Sequence, residues 1–192
     1  MKKILLIITI FFSTISTINA EDIKRIIVGN KDAKITIIAF ESLTCSHCAD
    51  FHKDVYPELK KDYLDTGLAK IEFRHFPLNI AAFNASKVSQ CKNDGDSKIL
   101  STLYANQQKW VKGSSVDEAN KNLQKFLIEE GVNVDFETCI NNKEIEDFIL
   151  NDRIDGVKNF KVNATPTVII NDEKFEKTLN YKNLKKALEK LI

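Results

Sequence analysis

An apolar run that ends shortly before a closely spaced pair of cysteines constrains this chain more than any other feature. The run, residues 35–40, is apolar on both faces, which is typical of a central strand covered by helices on both sides. Cys45 and Cys48 follow it, with two residues between them. Cysteines at this spacing can close a small disulfide ring or bind one metal ion. The sequence therefore predicts thiol chemistry or metal binding at the end of a central strand.

The segments after the pair predict a helix and then a second strand. Apolar side chains recur every fourth residue and define one face of that helix: Phe51, Val55, Leu59 and Tyr63. Thr44 is the candidate N-cap, and Pro57 predicts a kink or break because proline has no N–H to donate within a helix. Residues 69–75 alternate between two faces, which predicts a strand. The strand–helix–strand order suits a parallel crossover.

The middle of the chain predicts a helical subdomain inserted into an α/β frame. Residues 79–163 show helical patterns without a strand pattern and are too numerous for a loop. Helices are predicted at 81–92, 97–110, from the capping box at Ser115, and at 143–160, with a short turn from Asp135 through Cys139. Three large side chains are expected in its core: Phe83, Leu103 and Trp110.

The frame itself is predicted to be of the α/β class with a mixed central sheet. It comprises residues 21–78 and 164–192. Its last part contains a strand at 167–170, an edge strand at 173–177 and a closing amphipathic helix from Tyr181.

The first twenty residues predict an export signal that is cleaved after Ala20. Lys2 and Lys3 precede an apolar stretch over 4–12, and small and polar residues follow. The apolar stretch is shorter than the roughly 20 residues of a spanning helix, although an uncleaved anchor is the alternative. We therefore expect a periplasmic protein. The sequence has 28 Lys and Arg against 27 Asp and Glu, so its charge gives no reason to expect a nucleic-acid partner.

The four cysteines are expected to pair, because the predicted compartment is oxidising. Four cysteines allow three connectivities. The two-residue spacing favours Cys45 with Cys48, which leaves Cys91 with Cys139. A disulfide between the latter two would act as a structural staple or as a second redox pair that tunes the first.

Cys45 and Cys48 are expected to differ in reactivity. A thiol reacts as its thiolate, and a cysteine at a helix start has unpaired backbone N–H groups and the positive end of the helix dipole beside it. Cys45 occupies that position, and His47 would add a positive charge if protonated. Cys48 lies one turn further in. The arrangement predicts a nucleophile at Cys45 and a resolving thiol at Cys48.

A zinc site and a purely structural disulfide are the alternatives at the cysteine pair. His52 and His75 could complete a zinc site with the two cysteines, although no second pair at zinc-finger spacing follows. A disulfide this short restrains little of the unfolded chain, so it offers little stability. If the pair is redox-active, we expect His52 to face solvent on the helix and His75 to be a partly buried residue at the end of a strand.

A proline at the start of a predicted strand supplies a second feature. Pro166 follows Thr165 immediately before residues 167–170, where a cis peptide bond is most plausible. A cis bond would bring the backbone N–H and C=O of Thr165 near Cys45, where an extended substrate peptide could pair with them. An ordinary trans proline at a strand edge is the alternative.

Together these features resemble the DsbA family of secreted thiol oxidases. The resemblance rests on the segment 45–48 after a strand, the helical insertion, the Thr165-Pro166 pair and the export signal, and it covers nearly the whole chain after residue 20. It implies a thioredoxin fold with an inserted helical domain and a second disulfide between Cys91 and Cys139, as some relatives carry one there. It also implies site roles for five residues: a nucleophile at Cys45, a resolving thiol at Cys48, a thiolate-stabilising His47, and a substrate-binding cis-proline segment at Thr165 and Pro166.

The resemblance also implies partners. Reduced or unfolded exported proteins would be the substrates, and a quinone-linked membrane protein of the DsbB type would re-oxidise the cysteine pair. We expect a monomer that needs neither a metal nor another cofactor.

Three positions depart from the prototype of the family. Ser46 stands where the prototype has proline, and Thr165 where it has valine, a choice shared with secreted isomerases. Ala39 takes the place of a buried acid. Glu41 lies on the same strand parity as Ala39 and is the possible proton acceptor, unless it is only a solvated loop carboxylate. A disulfide isomerase or reductase using the same cysteines therefore stays an alternative, as does a zinc-binding or chaperone-like module.

Overall fold

A mixed five-stranded sheet lies at the centre of the structure, a computed structural model that describes residues 23–91 and 98–192. The strands are β1 Ile26–Gly29, β2 Ile35–Glu41, β3 Ala69–His75, β4 Thr167–Ile170 and β5 Glu173–Lys174. Their order in the sheet is β1-β3-β2-β4-β5, with β2 and β3 parallel and the other pairs antiparallel. The predicted α/β class with a mixed sheet is confirmed. The predicted export signal lies outside the described residues.

The central strand β2 carries the apolar run and is buried along nearly its whole length. It continues one residue beyond the prediction, because Glu41 still pairs with His75 of β3. Glu41 is therefore the last residue of β2 and does not belong to the loop that follows. The edge strand β5 is shorter than the predicted 173–177, since its pairing with β4 ends at Lys174.

The described α-helices are α1 Ser46–Asp50, α2 Tyr56–Leu59, α3 Ile80–Cys91, α4 Lys98–Ala105, α5 Gln107–Trp110, α6 Val116–Glu129, α7 Phe136–Asn141, α8 Lys143–Phe160 and α9 Tyr181–Leu188. Helices α3 to α8 lie between β3 and β4, as predicted. The single helix predicted over 97–110 is wrong, because the chain leaves helical geometry at Asn106. The turn at Asn106 lets Trp110 enter the core and donate its indole N–H to the carbonyl oxygen of Leu103.

The helical segment after the cysteine pair is not a regular α-helix. Helix α1 passes into a π-helical turn at Phe51–Val55, then into α2, then into a second π-helical turn at Lys60–Leu64. Pro57, at the start of α2, has no N–H to donate and would clash with the carbonyl four residues back in an α-helix. The wider π-helical turn before it accommodates both constraints. The predicted interruption at Pro57 is confirmed.

One apolar core joins the sheet to the helices between β3 and β4. It contains Ile37 from β2 together with Leu103 and Trp110 from the helices, so the core positions predicted for the latter two are confirmed. Phe83 is only half-buried, and the ammonium group of the buried Lys87 lies 4.6 Å from the centroid of its ring. The burial of the Phe83 side chain was therefore predicted to be greater than the structure shows.

Helix α8 covers the other face of the sheet. It passes so close that a Cβ on Gly156 would lie 2.9 Å from the Phe40 ring. The helices thus pack tightly on the sheet on both sides. The division of the chain into an α/β domain and an inserted helical domain stays a prediction. Within residues 23–91 and 98–192, no helix combines the length and the apolar character that crossing a membrane requires.

Candidate active site

The loop between β2 and α1 holds Cys45 at the carboxyl end of the central strand. Its backbone N–H donates to the carbonyl oxygen of Ser42 at 3.0 Å, and its own carbonyl accepts from the N–H of Cys48 at 3.1 Å and of Ala49 at 3.2 Å. Cys45 is therefore the N-cap residue, with extended backbone angles. The prediction of Thr44 as N-cap was wrong, because its hydroxyl instead accepts from the side chain of Asn79 at 3.0 Å.

Both cysteines of the pair are free thiols in this structure, and their surroundings differ. The hydrogen bond from the Cys48 thiol is the largest of several effects that lower the pKa of Cys45 to about 5, against the opposing effect of burial. The side chain of Thr165 and the backbone N–H groups of Cys48 and His47 also favour the thiolate. A pKa in this range favours the thiolate form of Cys45 at neutral pH.

Cys48 has the opposite tendency. It is 0% exposed, and this burial raises the pKa of the Cys48 thiol far above its ordinary value. The hydrogen bond that its S–H donates to Cys45 and the negative charge of Glu41 raise the pKa of Cys48 further. The structure thus places an acidic, accessible sulfur beside a buried sulfur that holds its proton.

The imidazole of His47 lies on the solvent side of the pair. Its side chain is 82% exposed, and its Nδ1 atom is 3.6 Å from a carboxylate oxygen of Asp50. The backbone N–H of His47 is one of the groups that favour the Cys45 thiolate, and the part expected for the charge of its ring stays a prediction.

A buried acid and a buried histidine lie behind Cys48. Nε2 of His52 is 2.8 Å from Oε2 of Glu41, and the two side chains are 6% and 3% exposed. The His52 ring stacks on Tyr104 with 4.1 Å between ring centroids. The prediction that His52 faces solvent was wrong, because α4 covers that face of the helical segment. The alternative of Glu41 as a solvated loop carboxylate is also wrong, because Glu41 is a buried residue of β2.

The residues of the alternative zinc site are not brought together. His75 is buried at the end of β3, where Nε2 lies 3.2 Å from Oε1 of Gln90, and burial lowers the pKa of its imidazole. His75 is therefore more buried than predicted. His52 contacts Glu41 instead. Within the described part of the chain, no three or more His, Cys, Asp or Glu side chains are arranged to hold a metal ion.

Thr165 and Pro166 lie against Cys45. The peptide bond between them is cis. Sγ of Cys45 is 3.3 Å from the carbonyl oxygen of Thr165, so this carbonyl is close to the sulfur of Cys45, as expected. Beside them a groove of about 450 Å³ runs along α1. Its lining residues come from the helical segment, the cis-proline loop and the start of α9: His47, Asp50, Phe51, Asp54, Val55, Thr165, Pro166, Leu179, Asn180 and Tyr181.

Cys91 and Cys139 form a disulfide that joins the end of α3 to α7. Cys139 is buried, whereas Cys91 is partly exposed. This disulfide is the one predicted from the sequence, where pairing Cys45 with Cys48 left Cys91 to pair with Cys139.

Sequence reasoning missed Gln107, whose side chain reaches the same loop from α5. Its Nε2 atom donates to the carbonyl oxygen of Leu43 at 2.9 Å and to that of Cys45 at 3.0 Å. A glutamine in a polar stretch more than 60 residues from the loop carries no local signal of such a contact.

The fold and the cysteine pair at the end of β2 define a thioredoxin-like protein. A family model described as thioredoxin matches residues 21–190, and the chain belongs to this family. The crystal structure of α-DsbA1 from Wolbachia pipientis matches with a TM-score of 0.76 at 29% identity, covering 87% of this chain and 90% of that one. The resemblance to DsbA proteins and the thioredoxin fold are confirmed.

Two relatives carry names that refer to disulfide chemistry. A Rickettsia bellii protein, provisionally named a protein-disulfide oxidoreductase, is 27% identical over 174 residues, which cover 89% of this chain and 66% of that protein. Disulfide bond formation protein D of Bacillus subtilis is 27% identical over 176 residues, which cover 85% of this chain and 75% of that protein. The chain thus spans about two thirds of the length of the Rickettsia relative.

Proposed function

We propose that this protein is a thiol-disulfide oxidoreductase that introduces disulfides into exported proteins by giving up a disulfide between Cys45 and Cys48. The observation that carries the proposal is the asymmetry of the two thiols, an acidic Cys45 beside a buried Cys48. Stabilising the Cys45 thiolate stabilises the reduced form, so the disulfide form is a strong oxidant. The names of the relatives in Rickettsia bellii and Bacillus subtilis support the same class of reaction.

The reaction begins when a substrate thiolate attacks Sγ of Cys45 in the oxidised protein. A bond forms between the substrate sulfur and Cys45, the bond between Cys45 and Cys48 breaks, and Cys48 leaves with the electron pair. A second thiolate of the substrate then attacks the substrate sulfur of this mixed disulfide, and Cys45 leaves as a thiolate. The substrate is oxidised by two electrons and the cysteine pair is reduced by two. No further cofactor is required for these steps.

The proton of Cys48 is the second part of the mechanism. Because burial disfavours its thiolate, Cys48 takes up a proton when it leaves and must lose it when it attacks a mixed disulfide during re-oxidation. Glu41 is the acceptor that we propose for this proton, and His52 holds its carboxylate through the contact at 2.8 Å. Oε1 of Glu41 is buried without a hydrogen-bond partner, so this oxygen is available to accept.

The remaining roles concern substrate and partners. The groove beside Thr165 and Pro166 is the place that we propose for an extended segment of a reduced or unfolded substrate, with His47 at its exposed edge. The predicted export signal supports a periplasmic location, where such substrates occur. A quinone-linked membrane protein of the DsbB type is the partner that we propose for re-oxidation of the monomer.

The reduction potential of the Cys45–Cys48 pair tests the proposed direction of the reaction. The protein is equilibrated in glutathione redox buffers at pH 7, and the reduced fraction is measured by alkylation and mass spectrometry of the peptide that contains both cysteines. We expect a potential more positive than about −180 mV, between protein disulfide isomerase and DsbA, and rapid oxidation of a reduced two-cysteine protein. A potential near about −270 mV, as in thioredoxin, would contradict the oxidase proposal.

An isomerase or reductase is the second candidate, and Thr165 is the observation that favours it. Thr165 lies beside Cys45, where the family prototype has an apolar valine and where secreted isomerases share the threonine. A scrambled disulfide protein offered with the reduced protein distinguishes the two directions. Faster reshuffling of the scrambled protein than oxidation of the reduced protein would favour the isomerase.

Glu41→Gln is expected to slow the resolution of a mixed disulfide by at least about tenfold, because the substitution removes the proton acceptor. The measurement follows re-oxidation of the reduced protein by glutathione disulfide and separates capture at Cys45 from release by Cys48. Removing the negative charge alone would lower the pKa of Cys48 and speed this step, so slower resolution identifies a proton acceptor. Glu58→Gln, an exposed position on α2, is the matched control. Unchanged resolution in Glu41→Gln would contradict the role.

A further inference from the structure

The side-chain amide of Gln107 donates two hydrogen bonds to the loop that carries Cys45. The two acceptors are the carbonyl oxygens of Leu43 and Cys45, on either side of Thr44. Gln107 belongs to α5, between β3 and β4, whereas the loop connects β2 to α1. One side chain therefore links the helices between β3 and β4 to the backbone of the residue that bears the acidic thiol.

The position of Gln107 is itself fixed. Trp110, one turn further along α5, is buried, and its indole N–H donates to the carbonyl oxygen of Leu103 at 2.9 Å. Tyr104, on the preceding helix α4, is buried against the His52 ring. The first contact joins α5 to α4, and the second joins α4 to the segment that follows the cysteines. Helix α5, and with it the backbone of Gln107, is therefore held in place relative to the Cys45 loop.

The carbonyl oxygen of Cys45 accepts three hydrogen bonds. It receives the N–H groups of Cys48 and Ala49, which form the first turn after the cysteine, and it receives Gln107 as a third donor. The orientation of this carbonyl fixes the peptide planes of that first turn. It also fixes the direction of the Cα–Cβ bond of Cys45, and hence the position of its sulfur, 3.3 Å from the carbonyl oxygen of Thr165.

We propose that Gln107 is a positioning residue for thiol-disulfide exchange, which holds the Cys45 loop so that its sulfur faces both the backbone N–H groups of α1 and the cis-proline loop. The inference rests on the proposed function, because it concerns the same sulfur. It assigns to the helices between β3 and β4 a direct part in the reactivity of Cys45. Loss of the two hydrogen bonds lets the loop turn away from the N–H groups of Cys48 and His47 that favour the thiolate.

The test compares Gln107→Ala and Gln107→Met with the wild-type protein. Methionine keeps the length of the side chain but has no N–H to donate, so it decides the question if the alanine variant does not fold. Gln108→Ala is the matched control, because Gln108 is the next residue of α5 and is exposed. Two quantities are measured in each reduced protein: the ultraviolet titration of the Cys45 thiolate and the equilibrium of the cysteine pair with glutathione.

The wild-type thiolate is expected to titrate near pH 5. In both Gln107 variants the midpoint is expected to rise by about one pH unit, and the equilibrium with glutathione is expected to move about tenfold toward the oxidised pair, or ~30 mV. Gln108→Ala should match the wild type in both. If the Gln107 variants lower only the melting temperature, the residue is purely structural and the proposal is overturned. The proposed function is tested by a different measurement, the oxidation of a reduced substrate by the wild-type protein. Because the thiolate titration needs no substrate, a failure of the proposed function can be told apart from a failure of the role of Gln107.

Discussion

Replacing Cys45 with serine is expected to reduce thiol oxidation to the rate of the uncatalysed exchange. The hydroxyl of serine ionises far less readily than a thiol and cannot form a disulfide, so no mixed disulfide with the substrate is possible. The environment that stabilises the Cys45 thiolate, with its donors from Cys48 and the α1 backbone, would then have no nucleophile to act on. The measurement is oxidation of a reduced two-cysteine protein, together with reduction of insulin disulfides.

Cys48→Ser provides the informative comparison for this result. It retains the nucleophile, so a disulfide substrate should still be captured at Cys45, but the buried resolving thiol is missing and the mixed disulfide should accumulate. Mass spectrometry then shows a covalent adduct in the Cys48 variant and none in the Cys45 variant. Full oxidation activity of Cys45→Ser would contradict the redox function altogether. Zinc bound stoichiometrically to a reduced protein that resists alkylation at Cys45 would favour the metal alternative instead.

The sequence was sufficient to locate the elements that short-range patterns encode. The apolar run before Cys45 is a central strand, the alternation over Ala69–His75 is its parallel neighbour, and Pro57 interrupts the helix. The N-caps at Ser115 and Asp135 also follow the prediction, with hydrogen bonds to the N–H groups three residues on. These features depend on residues within one or two turns of each other.

Contacts between distant segments explain what the sequence did not reveal. His52 was predicted to face solvent on the helix, yet α4 covers it and Glu41 binds it. Helical periodicity reports which side of an element is apolar, but not what a later part of the chain places on the other side. The contact of Gln107 with Cys45 escapes prediction for the same reason.

The position of Glu41 could be predicted in part from the sequence and in part only from the structure. Strand parity placed Glu41 on the same face as Ala39, where the family prototype has a buried acid two residues earlier. The structure supplies the missing part: Glu41 is still within the strand, it is buried, and its charge raises the pKa of Cys48. An acid moved by two positions along a strand stays on the same face, because side chains alternate with a period of two.

Removing the disulfide between Cys91 and Cys139 is expected to lower the free energy of unfolding by about 4 kcal/mol in the chain-entropy model, which gives this value for a loop of 48 residues. The disulfide joins α3 to α7, and the chain between them includes α4, α5 and α6. Without the cross-link, the unfolded chain gains the conformations that this closed loop excludes. The double variant Cys91→Ala,Cys139→Ala measures the effect by denaturant unfolding, since alanine avoids burying an unpaired hydroxyl at the position of Cys139.

Oxidation activity separates a structural disulfide from a second redox pair in the same variant. The Cys45 loop receives its contact from Gln107 on α5, and α5 is joined to α4 by the hydrogen bond from Trp110 to Leu103. Neither of these hydrogen bonds involves Cys91 or Cys139. If the disulfide is purely structural, the double variant should lose much of its stability. Below the unfolding transition, its rate of substrate oxidation should be nearly unchanged and its Cys45–Cys48 potential should be unchanged. A change in that potential, with the variant still folded, would show that Cys91 and Cys139 tune the first pair. A loss of less than about 1 kcal/mol would contradict the staple, because the entropy of a loop this long should dominate.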